Sequence, residues 1–96
     1  MKFMITWKIH QDKRHDVLKA FAQMSTEDDQ KDAGDRIQVI GRWHNVATGT
    51  GVAICETDDA AALFAWALNW NAVLDVNVEP VVDDAEAREI GKKKFQ

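Results

Sequence analysis

From Lys2 to Ile9 the chain alternates, with Phe3, Ile5, Trp7 and Ile9 on one side and Lys2, Met4, Thr6 and Lys8 on the other. A period of two marks a half-buried strand. Between Gln11 and Met24 the apolar positions Val17, Leu18, Phe21 and Met24 change to helical spacing, and Asp12 near the start complements the helix dipole. Ser25 to Asp35 is polar, acidic and closed by Gly34 and Asp35. It reads as a hydrated loop, without the interleaved ligand spacing of a calcium loop. Arg36–Val46 and Gly51–Thr57 are two strand-like runs separated by Ala47-Thr48-Gly49-Thr50, the pattern of an antiparallel hairpin. Thr57-Asp58-Asp59 offers capping oxygens to Ala60–Trp70, a run of strong helix formers with Leu63, Trp66, Ala67 and Trp70 on one stripe. Leu74–Val81 alternates again, and Pro80 marks a strand end or a sheet edge. Asp83–Lys94 is charged and has few apolar residues to hold it down, as expected of a tail or short helix.

The order strand, helix, strand, strand, helix, strand predicts an α+β, ferredoxin-like βαββαβ domain over residues 1–82, followed by a charged segment over 83–96. Right-handed crossovers place the third strand beside the first, giving the antiparallel order 4-1-3-2 with two helices on one face. Phe3, Ile5, Trp7, Val39, Trp43, Val76 and Val78 are then expected on the helix side. Met4, Thr6, Lys8, Gln38, Ile40, Arg42, His44, Asn77 and Glu79 are expected on the open side. Small Ala53 and Cys55 suit close helix approach, which turns Val52, Ile54 and Glu56 outward to form an apolar centre with Met4 and Ile40. An open face with an apolar middle and charged ends suits pairing with a second copy about a two-fold axis.

Composition narrows the function classes. Ninety-six residues make one domain, and a net charge of −4 with 46% hydrophobic and 29% charged residues is ordinary for a soluble globule. Such a balance argues against nucleic acid as a partner. No stretch approaches the roughly 20 apolar residues of a membrane span, and Lys8 interrupts the first apolar run. Membrane partners are therefore not expected, and the cytoplasm is the expected location. The single Cys55 has no disulfide partner in the chain and reads as a small core residue. Lys92–Lys94 follow Asp83, Asp84, Glu86 and Glu89, which leaves the tail near neutral.

Candidate chemistry concentrates at Gly41-Arg42-Trp43-His44. Arg42 is suited to clamp a carboxylate or enolate and His44 to exchange a proton near neutral pH, so these two are the catalytic candidates. Thr6, Lys8 and Asn77, with Asp75 near Lys8, are expected close by if the first and fourth strands pair antiparallel, and would complete a ligand-binding pocket. A metal site is not expected: His10 and His44 are separated by an intervening strand, and Cys55 lies toward the opposite end. Gly49-Thr50-Gly51 joins two strands and is no phosphate loop, which needs a following helix N-terminus. No cofactor fingerprint remains.

Met1-Lys2-Phe3-Met4-Ile5-Thr6-Trp7, Gly41-Arg42-Trp43-His44, Glu56-Thr57-Asp58-Asp59, Trp66 with Trp70, and Pro80-Val81-Val82-Asp83-Asp84 occur in one order along residues 1 to about 85. Together they resemble an uncharacterised bacterial family, domain of unknown function 3303. The resemblance implies the dimeric α/β-barrel superfamily, in which two ferredoxin-like sheets face each other, and it supplies no activity. Within such a barrel Glu56 is a further ligand-binding candidate, a carboxylate that desolvation would turn into a base, although its place before the second helix also suits a structural role. The leading expectation is a homodimer that binds a small, partly apolar ligand between sheet and helices or inside the barrel. The alternatives are a cofactor-independent monooxygenase-like or proton-transfer enzyme, by fold analogy alone, and a purely structural dimerisation module.

Overall fold

The computed structural model describes residues 1–96. Strand β1 (Lys2–Ile9) leads through a 3₁₀ turn (Gln11–Lys13) to α1 (Arg14–Ala22) and then α2 (Thr26–Ala33). Strands β2 (Gln38–Asn45) and β3 (Thr50–Glu56) form the hairpin, α3 (Ala60–Leu68) returns the chain to β4 (Leu74–Val81), and α4 (Asp84–Lys94) ends it. The sheet order is β2-β3-β1-β4 with every pairing antiparallel, the ferredoxin-like order expected from the sequence. Pro80 lies near the end of β4, an edge strand, where its missing N–H costs the ladder least. No helix is long and apolar enough to cross a membrane.

Residues paired across antiparallel strands project to the same face. Phe3 opposes Cys55 and Ile5 opposes Ala53, and all four are buried with Leu63 and Trp66 of α3 and with Ile37. Ala53 and Cys55 thus face the helices, and Val52, Ile54 and Glu56 point the other way, as expected. Thr57 closes this end of the core. Its buried hydroxyl donates to the Arg36 carbonyl and accepts from the Asp59 amide, while the Asp59 side chain accepts from the Ala62 amide and caps α3.

Two expectations are corrected. The acidic Ser25–Asp35 segment is helical over Thr26–Ala33, because Ser25 and Asp28 exchange reciprocal side-chain to backbone hydrogen bonds at its start. Glu27, Asp28 and Asp29 fill the first turn, where the helix dipole favours them, and Gly34 closes the helix at φ 88°. The second correction is the facing of β2. A bulge shifts its register between Val39 and Gly41, so one extra residue enters the strand at Ile40. Such an insertion exchanges the faces of everything beyond it. Trp43 therefore opposes Val52 on the open face and is 59% exposed, rather than packing in the core. Arg42 opposes Ala53 and His44 opposes Gly51, both on the helix side rather than the open side.

Two glycines accommodate the indoles this creates. A Cβ at Gly41 would fall 2.3 Å from the Trp43 ring on the open face, and one at Gly51 would fall 2.1 Å from the Trp7 ring on the helix face. Each indole lies flat against a bare stretch of backbone, which no larger residue would leave free.

Candidate functional site

The helix-facing side of the sheet is divided along β1. Toward Phe3 and Ile5 it is closely packed; toward Trp7 and Ile9 the helices stand back and leave a cavity of about 110 Å³, partly open to solvent. Fifteen residues line it and 11 are hydrophobic, including Phe21 and Met24 from the α1 end, Trp66 and Trp70 from the α3 end, and Val76 from β4. Its polar lining is Asp29, Asp32, Arg42 and His44. The bulge is what delivers the last two here.

Arg42 forms an ion pair with Asp29 Oδ2 at 3.1 Å, and its guanidinium carbon sits 5.0 Å from the centroid of the Phe21 ring. The pair is largely shielded, so the charge of Arg42 is matched within the chain. Asp29 Oδ1 is buried and has no partner. His44 packs 4.8 Å from Phe21 at 34° and meets Trp7 edge-on at 5.5 Å, yet keeps considerable exposure at the mouth. Partial burial lowers its pKa below the usual 6.5, Arg42 adds to the lowering, and Asp29 opposes it. At neutral pH the imidazole is uncharged and one ring nitrogen is a free acceptor.

Asp32 does more structural work than any other polar residue of the site. One of its carboxylate oxygens accepts from Trp66 Nε1 at 2.9 Å and from Trp70 Nε1 at 2.6 Å, and the other accepts from Asn69 Nδ2 at 3.1 Å. Asn69 also donates to the Asp32 backbone carbonyl. Three donors within one and a half turns of chain thus converge on a single side chain of α2. Sequence reasoning missed Asp29 and Asp32 because it read their segment as a loop. The signal was Ser25-x-x-Asp28 followed by Gly34, a start and a stop with eight residues between them.

The remaining candidates are not brought to this site. Thr6 opposes Asn77 and Lys8 opposes Asp75 on the open face, across the sheet from Arg42 and His44. His10 reaches Asp75 instead, at 3.1 Å. Glu56, at the far end of the open face, binds the terminal ammonium at 2.8 Å and Lys2 at 3.5 Å. The ammonium beside it holds its carboxyl below the ordinary range, the reverse of the raised pKa a desolvated base would need. Cys55 is buried, which pushes its thiol pKa up and suits the core role expected of it. No three His, Cys, Asp or Glu side chains converge as metal ligands.

Replacing Asp32 by Ala leaves two largely shielded indole N–H groups without an acceptor. The expected loss of stability is about 2–4 kcal/mol, read from urea unfolding, with a shift in tryptophan emission. Asp32→Asn, which keeps one carbonyl oxygen, should lose less. Equal stability of Asp32→Ala and the parent chain would show that the convergence is not structural.

Solved structures match this chain at low identity. A Streptomyces coelicolor A3(2) protein matches at 19% identity over 88% of this chain and 99% of its own, with a TM-score of 0.49. An antibiotic biosynthesis monooxygenase matches at 18% identity over 86% and 100%, with a TM-score of 0.50. An uncharacterised NIPSNAP domain protein from Burkholderia xenovorans matches at 13% over 88% and 97%, with a TM-score of 0.46. No curated protein matches. At 18% identity the likeness to the monooxygenase is one of fold alone. The model of the domain of unknown function DUF3303 matches residues 1–95, and the chain belongs to that family.

Proposed function

We propose that this protein binds a small, partly apolar molecule in the cavity between the sheet and helices α1 to α3. The observation that carries the reading is the lining: 11 hydrophobic residues with the polar groups gathered around Arg42. Concave apolar sites with a few placed polar groups are the usual form of small-ligand sites. The buried, unpartnered Asp29 Oδ1 adds a specific demand, since a hydroxyl or amine on the ligand would satisfy it. Thr6, Lys8, Asn77 and Glu56 take no part in this reading.

Tryptophan fluorescence tests it directly, because Trp7, Trp66 and Trp70 line the cavity. Titration with small aromatic and branched aliphatic compounds should change the emission saturably in the parent chain. In Ala67→Phe, which places a ring in the cavity, the response should be abolished while the circular dichroism stays the same. An unchanged response in Ala67→Phe would end the proposal.

A second reading, proton transfer, is favoured by the neutral state of His44. An uncharged imidazole beside Arg42 is arranged to take a proton from a ligand carbon while the guanidinium stabilises the resulting oxyanion. A bound ligand with an acidic C–H should then exchange it in D2O, followed by NMR, with the parent chain and not with His44→Gln. Equal exchange rates would remove His44 from this role.

We further propose that the open face pairs with a second copy. Ile40 (52% exposed) and Trp43 (59% exposed) stand there with the half-buried Met4, Val52 and Ile54. An apolar centre of that kind is costly to leave in water. Light scattering at micromolar concentration should give twice the chain mass, and Ile54→Lys should give a folded monomer. A parent chain that scatters as a monomer would refute the pairing.

A further inference from the structure

Arg14 is the arginine without an acid. Arg36 has Asp59 at 3.7 Å, Arg42 has Asp29 at 3.1 Å and Arg88 has Asp84 at 3.8 Å, whereas no carboxylate lies within 4.0 Å of the Arg14 guanidinium. Its Nε is nevertheless buried and has no hydrogen-bond partner. Burial of a charged donor without an acceptor costs far more than a surface cation does. The position is also held: the Arg14 stem lies against Gly49, where an added Cβ would come within 3.3 Å of Cγ and 3.4 Å of Nε. Gly49 adopts φ 70°, and its carbonyl accepts from the Ile9 amide, so the backbone beside Arg14 is fixed.

This side chain borders a second, more polar cavity of about 150 Å³, whose lining includes His15, Asn45 and Thr50 and contains no carboxylate. The two cavities adjoin. Trp7, Ile9, Leu18 and His44 line both. One is mostly apolar, its acids facing Arg42 and the indoles with only Asp29 Oδ1 unpartnered; the other is polar and holds an unmatched cation. A molecule that satisfies both has an anionic head and an apolar body.

We propose that the ligand is a small carboxylic acid with an aromatic or branched aliphatic body, its carboxylate held by Arg14 in the polar cavity and its body in the apolar one. The planar guanidinium fork matches a planar carboxylate. The proposal rests on the cavity reading above and adds the charge of the ligand and the residue that selects it.

The test uses matched acid and amide pairs, phenylacetate with phenylacetamide and isovalerate with isovaleramide, titrated by tryptophan fluorescence. The parent chain should bind each acid about tenfold more tightly than its amide. Arg14→Gln, checked by circular dichroism, should weaken the acids to the level of the amides and leave the amides unchanged. Arg14→Lys, which keeps the charge but not the fork, should retain part of the preference. Amides that bind as well as acids would overturn the role of Arg14 and leave the apolar cavity standing. A preference that survives in Arg14→Gln would likewise assign the acid to another residue. If neither acids nor amides bind the parent chain, the cavity reading fails and this proposal fails with it.

Discussion

The hydrogen bonds that Asp32 accepts from Trp66, Asn69 and Trp70 hold the site in place. Helix α2 fully buries no residue and has one apolar contact with the core, through Ala33, so the apolar packing that usually seats a helix is nearly missing. Polar contacts seat it instead. Asp29 and Asp32 are three residues apart and share one face of the helix; the first binds Arg42 of the sheet and the second binds α3. Two carboxylates thereby tie a surface helix across the opening between sheet and α3. Without those ties only Ala33, packed partly buried against the core at the end of the helix, would keep α2 over the cavity, and the indoles of Trp66 and Trp70 would lose their acceptor.

The arrangement explains the uneven use of the core. Eleven of 96 residues are buried, and the largest fully buried side chains, Leu63 and Cys55, belong to the end of the sheet near Phe3 and Ile5. At the other end Trp7, Phe21 and Trp70 line the cavity, and Trp66, the edge of the packed core, forms its inner wall. A chain this short has little apolar surface to spare. Leaving half of one sheet face hollow therefore has to be offset by specific polar contacts, and Asp32 and Asp29 are where they occur.

Much of this was legible in the chain. Alternation located β1 and β4, and the dense run of helix formers after Thr57-Asp58-Asp59 located α3. Trp66 and Trp70 were expected on one stripe and do meet, through a carboxylate that no periodicity reveals. The sheet order followed from element order and handedness. What escaped has two physical causes. Helix α2 carries no apolar stripe, so only its end signals mark it. The bulge at Ile40 leaves the alternation of β2 looking regular while reversing its sense, and a residue-by-residue count of apolar positions cannot detect that. Arg42 and His44 were correctly singled out as a pair sharing one face, but the face was the wrong one. Thr6, Lys8 and Asn77 were grouped with them for the same reason.

The bulge also makes the facing of β2 a matter of register, set by how the strand is paired and not by which residues it contains. Deleting Ile40 alone would leave an unbroken ladder with every pairing beyond it kept, Arg42 still opposite Ala53 and Trp43 still opposite Val52, whereas a slip of the strand by one residue with Ile40 taken into the ladder would carry Trp43 inward and turn Arg42 and His44 out to the open side. Length variation in a strand is usually absorbed by loops, but here the extra residue is absorbed inside the strand, and a shift of one pairing step is all that separates polar groups turned to an internal cavity from polar groups turned to the open face.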